Sequence, residues 1–100
     1  MTTDDYALLR ATLDEAAEQA SEGKGRDRHA SGEPFDRQPI LTITRMVGPG
    51  FPLGQVMKKC QEAARMEERG QEAQARAEML GAIVYAAAAV IAIDERCGDA

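Results

Sequence analysis

The stretch from Met79 to Ile93 limits most strongly what this chain can fold into. Its fifteen residues read MLGAIVYAAAAVIAI, carry no charge and include one polar side-chain group, the hydroxyl of Tyr85. A helix that is apolar on every side must be enclosed by the rest of its domain or by a second copy of itself. We therefore expect the other segments of the chain to pack around this helix.

Length and context argue against a membrane location for this apolar run. A membrane-spanning helix needs about 20 apolar residues, and the run ends at Glu78 and Asp94 instead of at basic or Trp residues. Cys60 and Cys97 are too few for a disulfide scaffold, and no signal peptide precedes the first acidic residues. We expect a cytoplasmic protein that makes no contact with a membrane.

Helical periodicity predicts four helices and one irregular segment. The third helix ends before Gly70, a plausible C-cap, and Pro39 favours the start of the short second helix. The β-branched residues of that second segment also suit a strand, but the chain offers no second strand to pair with it. The predicted helices cover about 6–21, 39–47, 52 or 53–69, and 71–96, and an irregular loop covers 23–38 with Phe35 as its anchor to the core.

The spacing of apolar residues predicts which side of each helix faces the core. In the last helix, small residues four apart allow another helix to approach closely. Lys58, Lys59, Glu62 and Arg65 are expected to point away from the core. The expected inward residues are Leu9, Leu13, Ala16, Ala17 and Ala20; Ile40, Ile43 and Val47; Leu53, Val56, Met57, Cys60, Ala63 and Ala64; and the pairs Ala82/Ala86 and Ala88/Ala92.

These patterns predict an all-α fold: a small bundle of about four helices around the long apolar C-terminal helix. A chain of 100 residues forms one domain, so residues 1–100 are expected to be a single helical domain. Because the bundle is rich in alanine, part of the last helix is expected to stay uncovered. A homodimer is the corresponding expectation.

Negative charge is concentrated at the start of the chain. The net charge of the whole chain is −5. Residues 1–22 hold six acidic residues and one basic residue, Arg10, so the net charge of this segment is also −5. Such a balance disfavours direct binding of nucleic acid or anionic membranes and favours a basic partner. Stepping 100° per residue places four acidic side chains opposite the apolar stripe of the first helix, and we predict these as the partner-binding residues: Asp4, Glu15, Glu18 and Glu22.

Motifs for common chemistry are missing from the sequence. Gly23-Lys24-Gly25 lacks the earlier glycine and the following Ser or Thr of a phosphate-binding loop. His29 and the two cysteines do not have the paired spacing of zinc ligands, and no nucleophile signature is present. We therefore predict no catalytic residue, no metal and no cofactor. The basic cluster around His29 is expected to pair with the acidic helix of the same chain or of a partner subunit.

One enzyme class remains as the alternative. Small all-helical nucleoside triphosphate pyrophosphohydrolases bind magnesium through carboxylates one helical turn apart, and Glu15-x-x-Glu18 resembles half of such a site. The second half is missing, because Glu95 is followed three residues later by Gly98. A structural or regulatory homodimer is the third possibility.

A compact acidic chain without enzyme motifs or a targeting segment resembles the small proteins encoded by phages and prophages. In size and charge it is similar to anti-CRISPR proteins, and its middle stretch, PFDRQPILTITRMVGPGFPLGQVMKK, has the look of a family-specific core. The resemblance implies a non-enzymatic inhibitor in the cytoplasm of a bacterial host. Its partner would be a protein complex with a basic, nucleic-acid-binding surface, such as a CRISPR surveillance complex.

Overall fold

The computed structural model describes residues 4–22 and 32–98, and within them it is all-α, with no strand. The predicted fold class and the four predicted helices are confirmed. Residues 39–47 are helical, so the alternative of a strand there is wrong. The elements are α1 (Ala7–Ser21), a 3₁₀ turn (Phe35–Arg37), α2 (Pro39–Val47), α3 (Gly50–Glu68) and α4 (Glu72–Arg96).

Helices α3 and α4 form an antiparallel hairpin, which is the largest packing unit of the fold. The turn between them depends on Gly70, whose φ of 72° lies in the left-handed region that glycine adopts without strain. Its amide donates to the carbonyl oxygen of Glu67 at 3.1 Å, which closes the end of α3. Further along the hairpin, Phe51 meets Tyr85 edge to face, with ring centroids 6.0 Å apart.

Lys59 lies inside this hairpin, so the prediction that it points away from the core is wrong. Its Nζ atom is 3.7 Å from Glu78 Oε2 and 5.7 Å from the centre of the Tyr85 ring. The side chains of Lys59 and Glu78 are only 24% and 23% exposed. Gly81 makes room for the lysine, because a Cβ at that position would stand 3.2 Å from Lys59 Cε. A long side chain can bury its methylene stem while its charged end finds a partner.

Helix α2 covers the C-terminal half of α4 with a face that the sequence did not predict. Leu41 and Thr44 are buried, whereas Ile43 and Val47 are 37% and 66% exposed. The expectation that Ile43 and Val47 point inward is therefore wrong. Ile40 is partly buried as expected, and the Thr44 hydroxyl donates to its carbonyl oxygen at 2.6 Å, which removes the cost of burying that hydroxyl.

The core cluster joins α2 to α4 and includes the predicted anchor. Leu41 packs with Ala88 and Ala92, and Phe35 lies against this cluster together with Ile40 and Ile91. Phe35 therefore anchors the segment before α2, as expected. The remainder of the predicted 23–38 loop divides into residues 32–38, which include the 3₁₀ turn, and residues 23–31, which lie outside the described part of the chain.

The core is thin for the amount of apolar sequence. Among the described residues, the buried apolar side chains are Leu41, Leu80, Pro52 and seven alanines. By length and composition alone α4 could cross a membrane, with a mean hydropathy of 1.8 over 18 residues, yet only 28% of that window is buried. Cys60 is exposed, so its predicted place in the core is wrong. Much of the apolar surface of α3 and α4 is thus open.

Candidate functional site

Helix α1 carries the predicted binding residues, and Asp4 fixes its start. The Asp4 carboxylate accepts a hydrogen bond from the Tyr6 amide at 2.9 Å and forms an ion pair with Arg10. Free amides at a helix start need such an acceptor, and negative charge there is favourable. Asp4 therefore shapes the entry into α1, and its charge is shared with Arg10.

Glu15 faces α4 and is already engaged. Both of its carboxylate oxygens lie 2.7 Å from Nη2 of Arg76. One turn later, Gln19 Nε2 donates to the carbonyl oxygen of Ala77 at 3.1 Å. Ala16, which is 2% exposed, lies between these two contacts in the sequence. Glu15 and Gln19 thus hold α1 against the first part of α4.

Three other carboxylates form an open row on the far side of α1. Asp14, Glu18 and Glu22 follow one another at four-residue spacing and are all exposed. The row spans about 12 Å, since each residue rises about 1.5 Å along a helix. None of the three forms an ion pair with another residue in 4–22 or 32–98. The basic cluster predicted to pair with this helix, around His29, lies outside the described residues.

The geometry revises the predicted set. Glu18 and Glu22 remain available to a partner, while Asp4 and Glu15 hold the helix in place. Asp14 was missed by sequence reasoning, although its spacing of four residues from Glu18 is the signal that would have identified it. We call Asp14, Glu18 and Glu22 the acidic row.

An apolar cleft of about 570 Å³ adjoins α1 on its other side. Leu13 and Ala17 contribute from α1, Phe35 from the 3₁₀ turn, and Ile83 and Ile91 from α4. Leu13 is 45% exposed, and Leu8, earlier on the helix, is 85% exposed. Helix α1 therefore carries exposed apolar side chains as well as the acidic row, and both kinds of group occur in protein-binding surfaces.

Glu95, considered above as a possible magnesium ligand, is held by an arginine as Glu15 is. Arg45 Nε and Nη2 donate to its two oxygens at 2.9 and 2.8 Å. These hydrogen bonds hold the pKa of the Glu95 carboxyl below its ordinary value of 4.5 and raise the pKa of Arg45. Within residues 4–22 and 32–98, no group of three or more His, Cys, Asp or Glu side chains is arranged to hold a metal ion.

Comparison with known proteins gives no match to a family model, a curated protein or a solved structure. The function of this chain must therefore be inferred from its own surface.

Proposed function

We propose that this protein is a non-enzymatic binding protein, in which the acidic row of α1 docks on a basic surface of a bacterial protein complex that handles nucleic acid. The observation that carries the proposal is the row itself: two exposed carboxylates on α1 and a third directly after its end, with α1 held against α4 by Glu15 and Gln19. Because the backbone that carries these charges is already folded, a partner has to order only their side chains on binding.

The partner chemistry follows from charge and from the neighbouring apolar side chains. Carboxylates four residues apart on a helix are separated by about 6 Å along its axis. They can form ion pairs with arginine and lysine side chains that otherwise bind phosphates. Exposed leucine on the same helix adds apolar contact area. An inhibitor of the anti-CRISPR type, which covers the DNA-binding surface of a surveillance complex, is the specific form of this proposal.

The engagement of Glu15 and Glu95 by arginines favours binding over nucleotide hydrolysis. Each carboxylate already has a guanidinium partner within 2.9 Å. A magnesium site would have to replace both ion pairs, because the metal needs converging carboxylate oxygens of its own. Binding through the acidic row leaves both pairs intact.

The test compares two triple charge reversals that change the net charge equally. Asp14, Glu18 and Glu22 are replaced by Lys in one variant, and the exposed Glu67, Glu68 and Glu72 at the hairpin turn are replaced in the control. A purified CRISPR surveillance complex is mixed with target DNA and with each protein, and bound DNA is measured by gel shift at two salt concentrations.

We expect the wild type and the control to reduce DNA binding, more strongly at low salt, because exposed charges are screened by salt. The variant of the acidic row should require at least about tenfold more protein for the same effect, given what close charge pairs contribute to an interface. Equal inhibition by both variants would remove the acidic row from the interface. Release of pyrophosphate from nucleotides with magnesium, in the absence of any effect on DNA binding, would replace the proposal with hydrolysis.

A further inference from the structure

Helix α4 has one long side that the other described elements leave largely open, although Ile83 at its edge also lines the cleft beside α1. On that side lie Met79, Ile83, Ala86, Val90 and Ile93, spaced four, three, four and three residues apart. Met79, Val90 and Ile93 are 44%, 56% and 43% exposed. This alternating spacing is the heptad pattern by which one helix packs into another. The other three sides of α4 are taken by α1, α2 and α3.

Helix α3 repeats the same pattern. Leu53, Met57, Cys60 and Ala64 are spaced four, three and four residues apart, and all are exposed. Leu53 is 49% exposed and Met57 is 68% exposed. These residues belong to the stripe that the sequence predicted to face the core. The hairpin instead buries the adjoining side of α3, which carries Pro52 and Ala63.

The two stripes lie side by side on one face of the hairpin. On each helix, the stripe lies about 100° around the helix axis from the side that contacts the other helix. Seen from the N-terminus of each helix, the direction of this rotation is the same. Because the two helices are antiparallel, both stripes then face the same side of the hairpin. A groove of about 400 Å³ confirms the placement, because Cys60 and Ala64 of one stripe and Met79 of the other line it together. We call the combined surface of the two stripes the hairpin face.

We propose that the hairpin face is the interface between two copies of this chain, which pack their α3–α4 hairpins into a four-helix bundle. A two-fold axis places such a face against itself, so each apolar stripe meets an apolar stripe. Two helices with heptad spacing on a common side are half of a four-helix bundle. Ala64 and Ala86 give the small positions that let the helices approach closely.

The size of the face suits a reversible dimer. Its length is about 21 Å, because fourteen steps of about 1.5 Å lead from Met79 to Ile93 along α4. Its width is about 20 Å, the width of two helices packed side by side. Two copies therefore bury at least about 800 Å² in total, since side-chain relief adds to the flat area; this is below the roughly 1,200–2,000 Å² of stable interfaces and belongs with weak, transient ones. We therefore expect weak, reversible association at micromolar or higher concentrations. Acidic residues at both ends of the face, Glu67, Glu72 and Asp94, disfavour an anionic lipid surface as the occupant.

The test uses matched pairs of Val and Met residues. In one variant Met57 and Val90, on the hairpin face, are replaced by Glu; in the control, Met46 and Val47 on α2, which are 82% and 66% exposed, receive the same substitutions. Molar mass is measured by sedimentation equilibrium from about 1 to about 300 μM, the range for interfaces of this size. Circular dichroism checks that helix content is unchanged, and flotation with anionic vesicles is run in parallel.

For the wild type and for the control variant, we expect the mass to rise from 10.8 kDa towards twice that value. The M57E/V90E variant should stay at the lower mass, or need at least tenfold higher concentration to associate, because two charges would be buried without partners. A wild type of 10.8 kDa throughout the range would overturn the proposal, as would equal effects of the two variants. A monomer that floats with vesicles would assign the face to lipid instead.

Discussion

Replacement of Lys59 by alanine should destabilise the fold by about 2 kcal/mol, a large effect for a lysine. Lys59 is only 24% exposed and supplies three contacts within the hairpin: its charge is near Glu78, its ammonium lies over Tyr85, and its stem lies on Gly81. Glu78 Oε2 is buried and has no hydrogen-bond partner among the described residues. At 3.7 Å, Lys59 is too far for a hydrogen bond but close enough to balance the charge.

The magnitude is the sum of three losses. Removing the lysine charge leaves the partly buried Glu78 carboxylate without its counter-ion, which costs about 1–3 kcal/mol, between an exposed pair and a fully buried one, and the contact with the Tyr85 ring contributes about 0.5–1 kcal/mol. Both side chains are about a quarter exposed, so solvent screening reduces the first figure towards its lower end. Loss of the stem from Gly81 adds the remainder. A change of about 2 kcal/mol lowers the melting temperature by about 8–16 °C in a domain of this size.

Urea unfolding followed by circular dichroism measures this loss, at one fixed protein concentration because association would add to stability. Lys58→Ala is the matched control: Lys58 is 65% exposed and, among the described residues, pairs only with Glu62, at 3.6 Å. Its loss should therefore cost less than about 0.5 kcal/mol. The double variant K59M/E78Q should recover most of the loss seen in K59M, since a neutral Gln needs no cation. Equal stability of K59A and K58A, or no recovery in the double variant, would refute the reasoning.

Two further predictions concern the ends of α2 and α4. Arg45 holds the pKa of Glu95 below 4.5, so the stability difference between the wild type and Glu95→Gln should be complete above that pH and should disappear as the pH falls through the lowered folded-state pKa. Unfolding curves at several pH values, with Asp94→Asn as control, test this. A stability difference that does not change with pH would contradict it. Gly48 ends α2 with φ 97° and ψ 174°, a conformation nearly restricted to glycine. Gly48→Ala should therefore cost about 1–3 kcal/mol of stability. Gly54 lies inside α3, where an added Cβ would meet open space, so Gly54→Ala should stabilise the helix by up to about 1 kcal/mol. Equal effects of the two substitutions on stability would refute the conformational argument.

The helices could be predicted from the sequence because their signals are local. Pro39, Gly48 and Gly70 mark helix ends through backbone geometry that each residue sets by itself. The boundaries consequently agree to within a few residues: α3 begins at Gly50 instead of at Pro52 or Leu53. No tertiary contact is needed for this level of description.

The faces of α2 and α3 could not be predicted in the same way. Periodicity identifies an apolar stripe, but which neighbour covers it depends on the arrangement of the other helices. In α2 the covered side is set by Leu41 against Ala88 and Ala92. The candidate site shows the same limit. The acidity of α1 was evident from the sequence, but the contact with Arg76 is needed to show that Glu15 is engaged. The exposure of Asp14, Glu18 and Glu22 likewise follows from the folded structure.

Helix α3 places Lys59 against α4 and leaves the apolar side chains of Leu53 and Met57 in solvent. In an isolated chain these exposed apolar side chains cost free energy, because water penalises apolar surface. The inner side nevertheless has what a lysine requires, namely Glu78, the Tyr85 ring and the space above Gly81. Both sides of α3 are thus suited to a partner, the inner one to α4 and the outer one to another heptad-spaced surface. In the dimer proposed above, a second hairpin face would supply that surface, and the apolar outer side of α3 would then be covered.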